Sequence, residues 1–241
     1  MRGDGLLLTK CPVCNADNLD FSMRCISCGS YLQQNVRTLD LFSTLFNLWR
    51  YPDFTLRRIV LATHRNYTIL LAILEAVGLS FLFLFVVKAA DIYSVELPRL
   101  LNVGVSLAVI VFLPSIYLIS ALNYLIVRLK RTGASFKGFA SGIIYSLHPI
   151  AVSAIIFLPT EIAVFGAYLF SNNPSPQVIN PLPFYFLGFL DFVFGTAAFF
   201  FAVRLTQVLF GSKILVAAFA AISSVVLFTA FEVAKYILLK W

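Results

Sequence analysis

Charge is what this chain has least of. Asp, Glu, Lys and Arg make up only 12% of its 241 residues, while hydrophobic residues make up 60% and include 25 Phe. Ordinary globular chains carry about a quarter charged residues. So little charge cannot clothe a water-soluble surface. Catalytic signatures are missing as well. There is no HExxH, no GxSxG and no glycine-rich phosphate loop, so the chain offers nothing for a metalloprotease, a serine hydrolase or a nucleotidase. No internal repeat is visible, which argues against an inverted-repeat transporter. Nor is there a secretory signal: "GLLL" is too short for a signal core, and long apolar runs begin only after residue 66. The tripeptide Arg2-Gly3-Asp4 is a chance occurrence.

What remains is length in apolar runs. A hydrocarbon core takes about 20 apolar residues as a helix, because a helix satisfies its own backbone polar groups in lipid. The fold class expected is an all-α polytopic membrane protein. Spans are expected at 67–87, 100–127, 139–159, 184–203 and 214–239, with Pro114 kinking the second. The stretch 139–170 is the ambiguous one. As one straight helix it would be about 48 Å long, too long for one crossing, and its halves are too short for two. Lys and Arg favour cytosolic loops, yet five spans and six spans place the same number of the 18 basic residues inside. Length favours five, with one crossing to about Pro159 and then a broken helix along the outer face. The N-terminus is expected in the cytosol. The net charge of +7 reads as attraction to an anionic leaflet.

Cysteine is rare and confined to one place. All four fall in "CPVCNADNLDFSMRCISCG", as Cys11-x2-Cys14 and Cys25-x2-Cys28. Paired CxxC knuckles supply four sulfur ligands for one tetrahedral Zn²⁺. With every position taken by sulfur the zinc would be structural, and in so short a segment the metal would be the fold. Bound thiolates suit a reducing compartment. Gly29, just after the second knuckle, is expected at positive φ. Arg2, Lys10 and Arg24 are balanced by three aspartates, so no nucleic-acid partner is expected. Residues 1–35 are therefore expected to form a zinc ribbon, 36–66 an amphipathic and juxtamembrane linker, and 67–241 the transmembrane domain.

In the linker, Leu41, Phe42, Leu45, Phe46, Leu48 and Trp49 share one helical face, and Asp40, Ser43, Thr44, Asn47 and Arg50 the other. This helix should end near Tyr51, ahead of Pro52. Its apolar face suits either the bilayer interface or packing on the bundle. Arg57, Arg58 and Arg65 would be juxtamembrane anchors.

The third span carries the polar exceptions. Ala134, Gly138, Gly142 and Ser146 recur every four residues, a small-residue ridge for close helix packing inside the bundle or between copies. In "YSLHP", Pro149 leaves the carbonyl of Tyr145 without its helical partner, which reads as a kink flanked by polar groups. His148 is expected to be a satisfied neutral histidine, with a functional role as the alternative. Four acids also sit in or beside apolar runs. Glu232 can pair with Lys235 three residues on, Glu161 is expected at the interface beyond Pro159, and Glu75 and Asp191 lie deeper. Together with His148, Glu75 and Asp191 could line a proton or ion path.

"GIIYSLHPIAVSAIIF" resembles the third span of the Yip (Ypt/Rab-interacting protein) family, where a tyrosine-then-proline element opens that helix; Tyr145 and Pro149 match it. The order of spans from Leu41 to Leu239 and the basic loop "RLKRTGASFKGF" are similar too. The zinc ribbon ahead of them resembles the prokaryotic type of that family. The resemblance implies a non-enzymatic, multi-pass membrane protein with a cytosolic N-terminus that organises membranes or binds proteins. The family's Asp-Leu-Tyr-Gly-Pro element, which goes with its GTPase partners, has no counterpart here. The leading expectation is thus an interaction scaffold whose ribbon docks a protein partner and whose ridge assembles the bundle or a homo-oligomer. A proton- or ion-coupled transporter is the competitor.

Overall fold

In the computed structural model the described residues are all but 1–7, 20, 21, 23, 33–38, 63, 93–95, 130–134 and 241. Ala134 of the small-residue ridge and Arg2 of the head therefore lie outside them. The head contributes a two-stranded antiparallel sheet, β1 (Leu8–Lys10) with β2 (Asp17–Leu19), paired Leu8 to Leu19 and Lys10 to Asp17. Everything after it that has regular structure is helical.

Two short helices precede the long ones. α1 (Leu41–Arg50) starts where the Asp40 side chain accepts from the Ser43 N–H, an N-cap that satisfies one of the first turn's free donors. α2 (Pro52–Leu61) follows at once, with Pro52 in its first turn and Asp53 behind it. Proline there is pre-set for a helix and loses no bond. The residue that stops α1 therefore starts α2, and the linker is helical where only a basic run was expected.

Five helical stretches are long and apolar enough to cross a membrane: Thr68–Val87, Leu97–Ile126, His148–Phe170, Pro181–Phe210 and Lys213–Lys240. The first is α3 (Thr68–Val87), closed by Lys88 in the left-handed conformation and followed by the short α4 (Ala89–Ile92). The second is α5 (Leu97–Leu107), a π-helical turn at Ala108–Phe112 and α6 (Leu113–Leu129). The widened turn sits just before Pro114, with Leu113 N–H reaching back to Ala108 O, so the strain of Pro114 is taken up by a π-turn on its N-terminal side. After the third span come α9 (Pro176–Ile179), α10 (Pro181–Phe210) and α11 (Lys213–Lys240), with Gly211 at φ 62 ending α10.

The third crossing differs from expectation. α7 (Phe136–Ser146) stops at Leu147, and α8 (His148–Phe165) begins anew with Pro149 in its first turn. The span is His148–Phe170 rather than 139–159. Pro159 lies inside α8 without breaking it, and a 3-10 turn at Gly166–Phe170 follows Gly166 at φ 58. No broken segment starts at Pro159. The reason α7 imitates a membrane segment is its surroundings. Every residue from Gly138 to Ser146 is buried, packed among α2, α3, α6 and α10. Protein, not lipid, demands its apolar character.

The outer faces of the long helices carry large exposed apolar side chains, such as Leu182 at 78% and Ile214 at 80% exposure. Soluble proteins do not tolerate such a belt, whereas lipid matches it. Leu56, Ile59, Phe83, Phe112, Phe139, Tyr145 and Phe170 fill the core.

Candidate functional site

The four cysteines converge. Their sulfurs all lie within 4.8 Å of one another, with Cys11 to Cys28 at 3.7 Å and Cys14 to Cys25 at 3.4 Å. None is in a disulfide. The two knuckles repeat each other. Val13 N–H donates to Cys11 Sγ and Ser27 N–H to Cys25 Sγ, each at 3.4 Å. The residue after each knuckle is left-handed, Asn15 at φ 59 and Gly29 at φ 70. Asparagine does the work of glycine at the first, because its short polar side chain tolerates that region. Asn18, buried beside them, donates to Cys25 Sγ and accepts from Ile26 N–H. The Ser30 hydroxyl lies 3.1 Å from Cys11 Sγ and pulls that thiol down to about 6, with help from backbone N–H groups. Donors aimed at sulfur are the surroundings of a thiolate. At Cys14 the Ala16 N–H pulls the same way, yet the neighbouring Cys25 and Cys28 sulfurs push that thiol up to about 12. Four sulfurs this close together can hold one metal ion.

His148 is the best-defined polar group in the bundle. Its Nδ1 lies 2.8 Å from Tyr145 O, and its Nε2 lies 3.0 Å from Trp49 Nε1. An indole N–H only donates and a carbonyl only accepts. The ring is therefore the neutral tautomer with its proton on Nδ1. The carbonyl that Pro149 deprives of a partner receives one from the neighbouring histidine, while Ser146 Oγ bonds Gly142 O. Trp49, from α1, also packs edge-on against Phe201 at 5.1 Å. So α1 is docked on the bundle through Leu48 and Trp49, yet Phe42 at 81% and Phe46 at 65% stay exposed. Thr44, assigned to the polar face, is buried.

The small-residue ridge faces α2. A Cβ on Gly138 would fall 2.1 Å from Val60 O, and one on Gly142 would meet Val60 and Leu205 side chains. Arg65 caps the end of α2, donating to Ile59 O and Val60 O. This ridge serves packing within the chain, which leaves it unavailable to a second copy. Across the same region Asp53 on α2 pairs with Arg204 on α10 at 2.6 Å. These contacts depend on α2 being a helix, and the helix-start pair Pro52-Asp53 is its signal in the sequence.

Glu75, His148 and Asp191, the three groups of the expected ion path, do not line one cavity. Glu75 is wholly buried and neither carboxyl oxygen has a hydrogen-bond partner. Asp191 accepts from Ser153 Oγ and lines a cavity between α3, α8 and α10. Glu161, expected at the interface, lines the same cavity, while Glu75 and His148 do not. Glu232 and Lys235 are exposed on α11, and no ion pair joins them. On the side away from the head, Asp91 accepts from Ser171 Oγ and Asn172 N–H, tying α4 to the segment after the third span.

No protein-family model matches the chain, and neither does any curated protein or solved structure.

Proposed function

We propose that this chain is a non-enzymatic membrane scaffold whose head is a structural zinc ribbon that docks a protein partner on the cytosolic side. The observation that carries the reading is a closed set of four sulfurs joined to a five-span bundle. A tetrahedral ion with metal–sulfur bonds of about 2.3 Å fits sulfurs a few ångströms apart, and the spacings of 3.4 Å and 3.7 Å agree with that. Knuckle positions Val13 and Ile26 are exposed at 72% and 83%, apolar tips of the kind that partners cover. Phe42 and Phe46 on α1 support a helix that rests in the bilayer interface. The Yip-like reading rests on Tyr145, Pro149 and the order of five spans. The transporter reading draws no support from the acids, because the cavity that Asp191 lines excludes Glu75 and His148.

The test is zinc content and co-purification from mild detergent, wild type beside Cys25→Ser, Cys28→Ser. One zinc per chain and a stoichiometric partner, both lost in the variant, are expected. Stoichiometric zinc retained by the variant would sink the metal assignment, and an unchanged set of partners would sink the docking role.

A further inference from the structure

The cavity between α3, α8 and α10 lies in the half of the bundle away from the head and holds about 610 Å³. Small-molecule sites run to about 300–1,000 Å³, mostly apolar with a few convergent polar groups. Here Phe81, Phe85, Phe192 and Phe199 supply apolar wall. The two acidic groups face the same space: Asp191, oriented by Ser153 Oγ, and Glu161 both line the cavity. No basic side chain is among the lining residues. The wall on α10 is also hollowed. Gly188 and Gly195 flank Asp191 on one helical stripe, and apart from the helix's own backbone no atom lies within 4 Å of where their Cβ atoms would be. Glycine inside a helix costs about 1 kcal/mol relative to alanine, and neither of these two brings another helix closer. They leave space. Phe192, 71% exposed, and Phe199, 64% exposed, stand at the rim, so the cavity opens sideways onto the lipid-facing surface.

We propose that this cavity binds one amphiphilic amine, its ammonium head between Glu161 and Asp191 and its hydrocarbon tail along Gly195 toward Phe199. Two carboxyl groups with no cation of their own select a positive head and reject a fatty acid. A bare metal ion would not need an apolar hollow of this size, and a neutral lipid would not need the acids. The site is separate from the head and does not depend on the scaffold reading.

Native mass spectrometry of the full chain in non-ionic detergent tests this, with dodecylamine, dodecanol and dodecanoate as probes. One dodecylamine adduct is expected at concentrations where the alcohol and the acid give at least tenfold lower occupancy. Asp191→Asn and Glu161→Gln should each lower amine occupancy tenfold, and Gly195→Leu, which keeps both carboxyls and fills the hollow, should do the same. Phosphatidylethanolamine that displaces dodecylamine would identify the occupant as a bilayer lipid; phosphatidylethanolamine without effect would identify a free long-chain amine. Equal occupancy by amine and alcohol in the wild type overturns the proposal without any variant. So does amine binding that survives Gly195→Leu, or efficient homodimer cross-linking through Gly195→Cys, which would place a second copy in the hollow.

Discussion

Trp49 and His148 are 99 positions apart and meet through one hydrogen bond, which makes them a sharp test at the scale of single residues. Removing one partner strands the other, and a buried polar group without a partner costs about 1–3 kcal/mol. Trp49→Phe should therefore lower the thermal midpoint, and in a double-mutant cycle with His148→Ala the two losses should fall short of additive. Where the wild type already holds stranded atoms, the sign reverses. Glu75 has two carboxyl oxygens without partners and Tyr145 one such hydroxyl. Replacing an unsatisfied polar group by an apolar one of similar shape is neutral or stabilising. Glu75→Met and Tyr145→Phe should leave the midpoint unchanged or raise it; a clear drop for Glu75→Met would show that its carboxyl has a partner in the membrane.

Among elements, α2 and α7 approach each other closely at Gly138. Gly138 approaches Val60 O so closely that a Cβ would sit at 2.1 Å, and backbone cannot move aside cheaply. Gly138→Ala should cost about 1–3 kcal/mol by overpacking and expose residues near 62–66 to limited proteolysis. Gly188→Ala makes the control, since nothing lies near its Cβ position and alanine is the better helix former. The opposite end of the bundle is held by Asp91. The Ser171 hydroxyl first, then the Asn172 N–H and the charge of Lys88, hold its carboxyl below the usual range. A depressed folded value means that the clamp contributes fully above the unfolded carboxylate value of about 3.9 and is lost as pH falls through the folded one. Hydrogen exchange at 171–173 should quicken only in that acidic window, and Asp91→Asn should abolish the change.

For the whole molecule, the head and the bundle should come apart thermodynamically. On the proposal that the four cysteines hold zinc, a chelator should unfold the head, whose core is too small to stand alone, while the bundle's unfolding transition stays where it was. The helical membrane-like class, the number of helices long and apolar enough to cross a membrane, the convergence of the two CxxC knuckles and the end of α1 before Pro52 were legible in the amino-acid order, because each depends on local composition, spacing or the covalent limits of proline. The orphaned Tyr145 carbonyl was legible for the same reason. Its partner was not, nor was α2 as the neighbour of Gly138 and Gly142, nor the cavity that joins Glu161 to Asp191. An apolar residue reads the same whether protein or lipid surrounds it, so α7 looked like a crossing until its neighbours were in place. Local sequence determined the long apolar helices and the set of four cysteines that could hold a metal ion. Only the tertiary structure decided which apolar faces meet protein, which meet lipid, and where two acids are left facing an open hollow, because those depend on contacts between residues far apart in the chain.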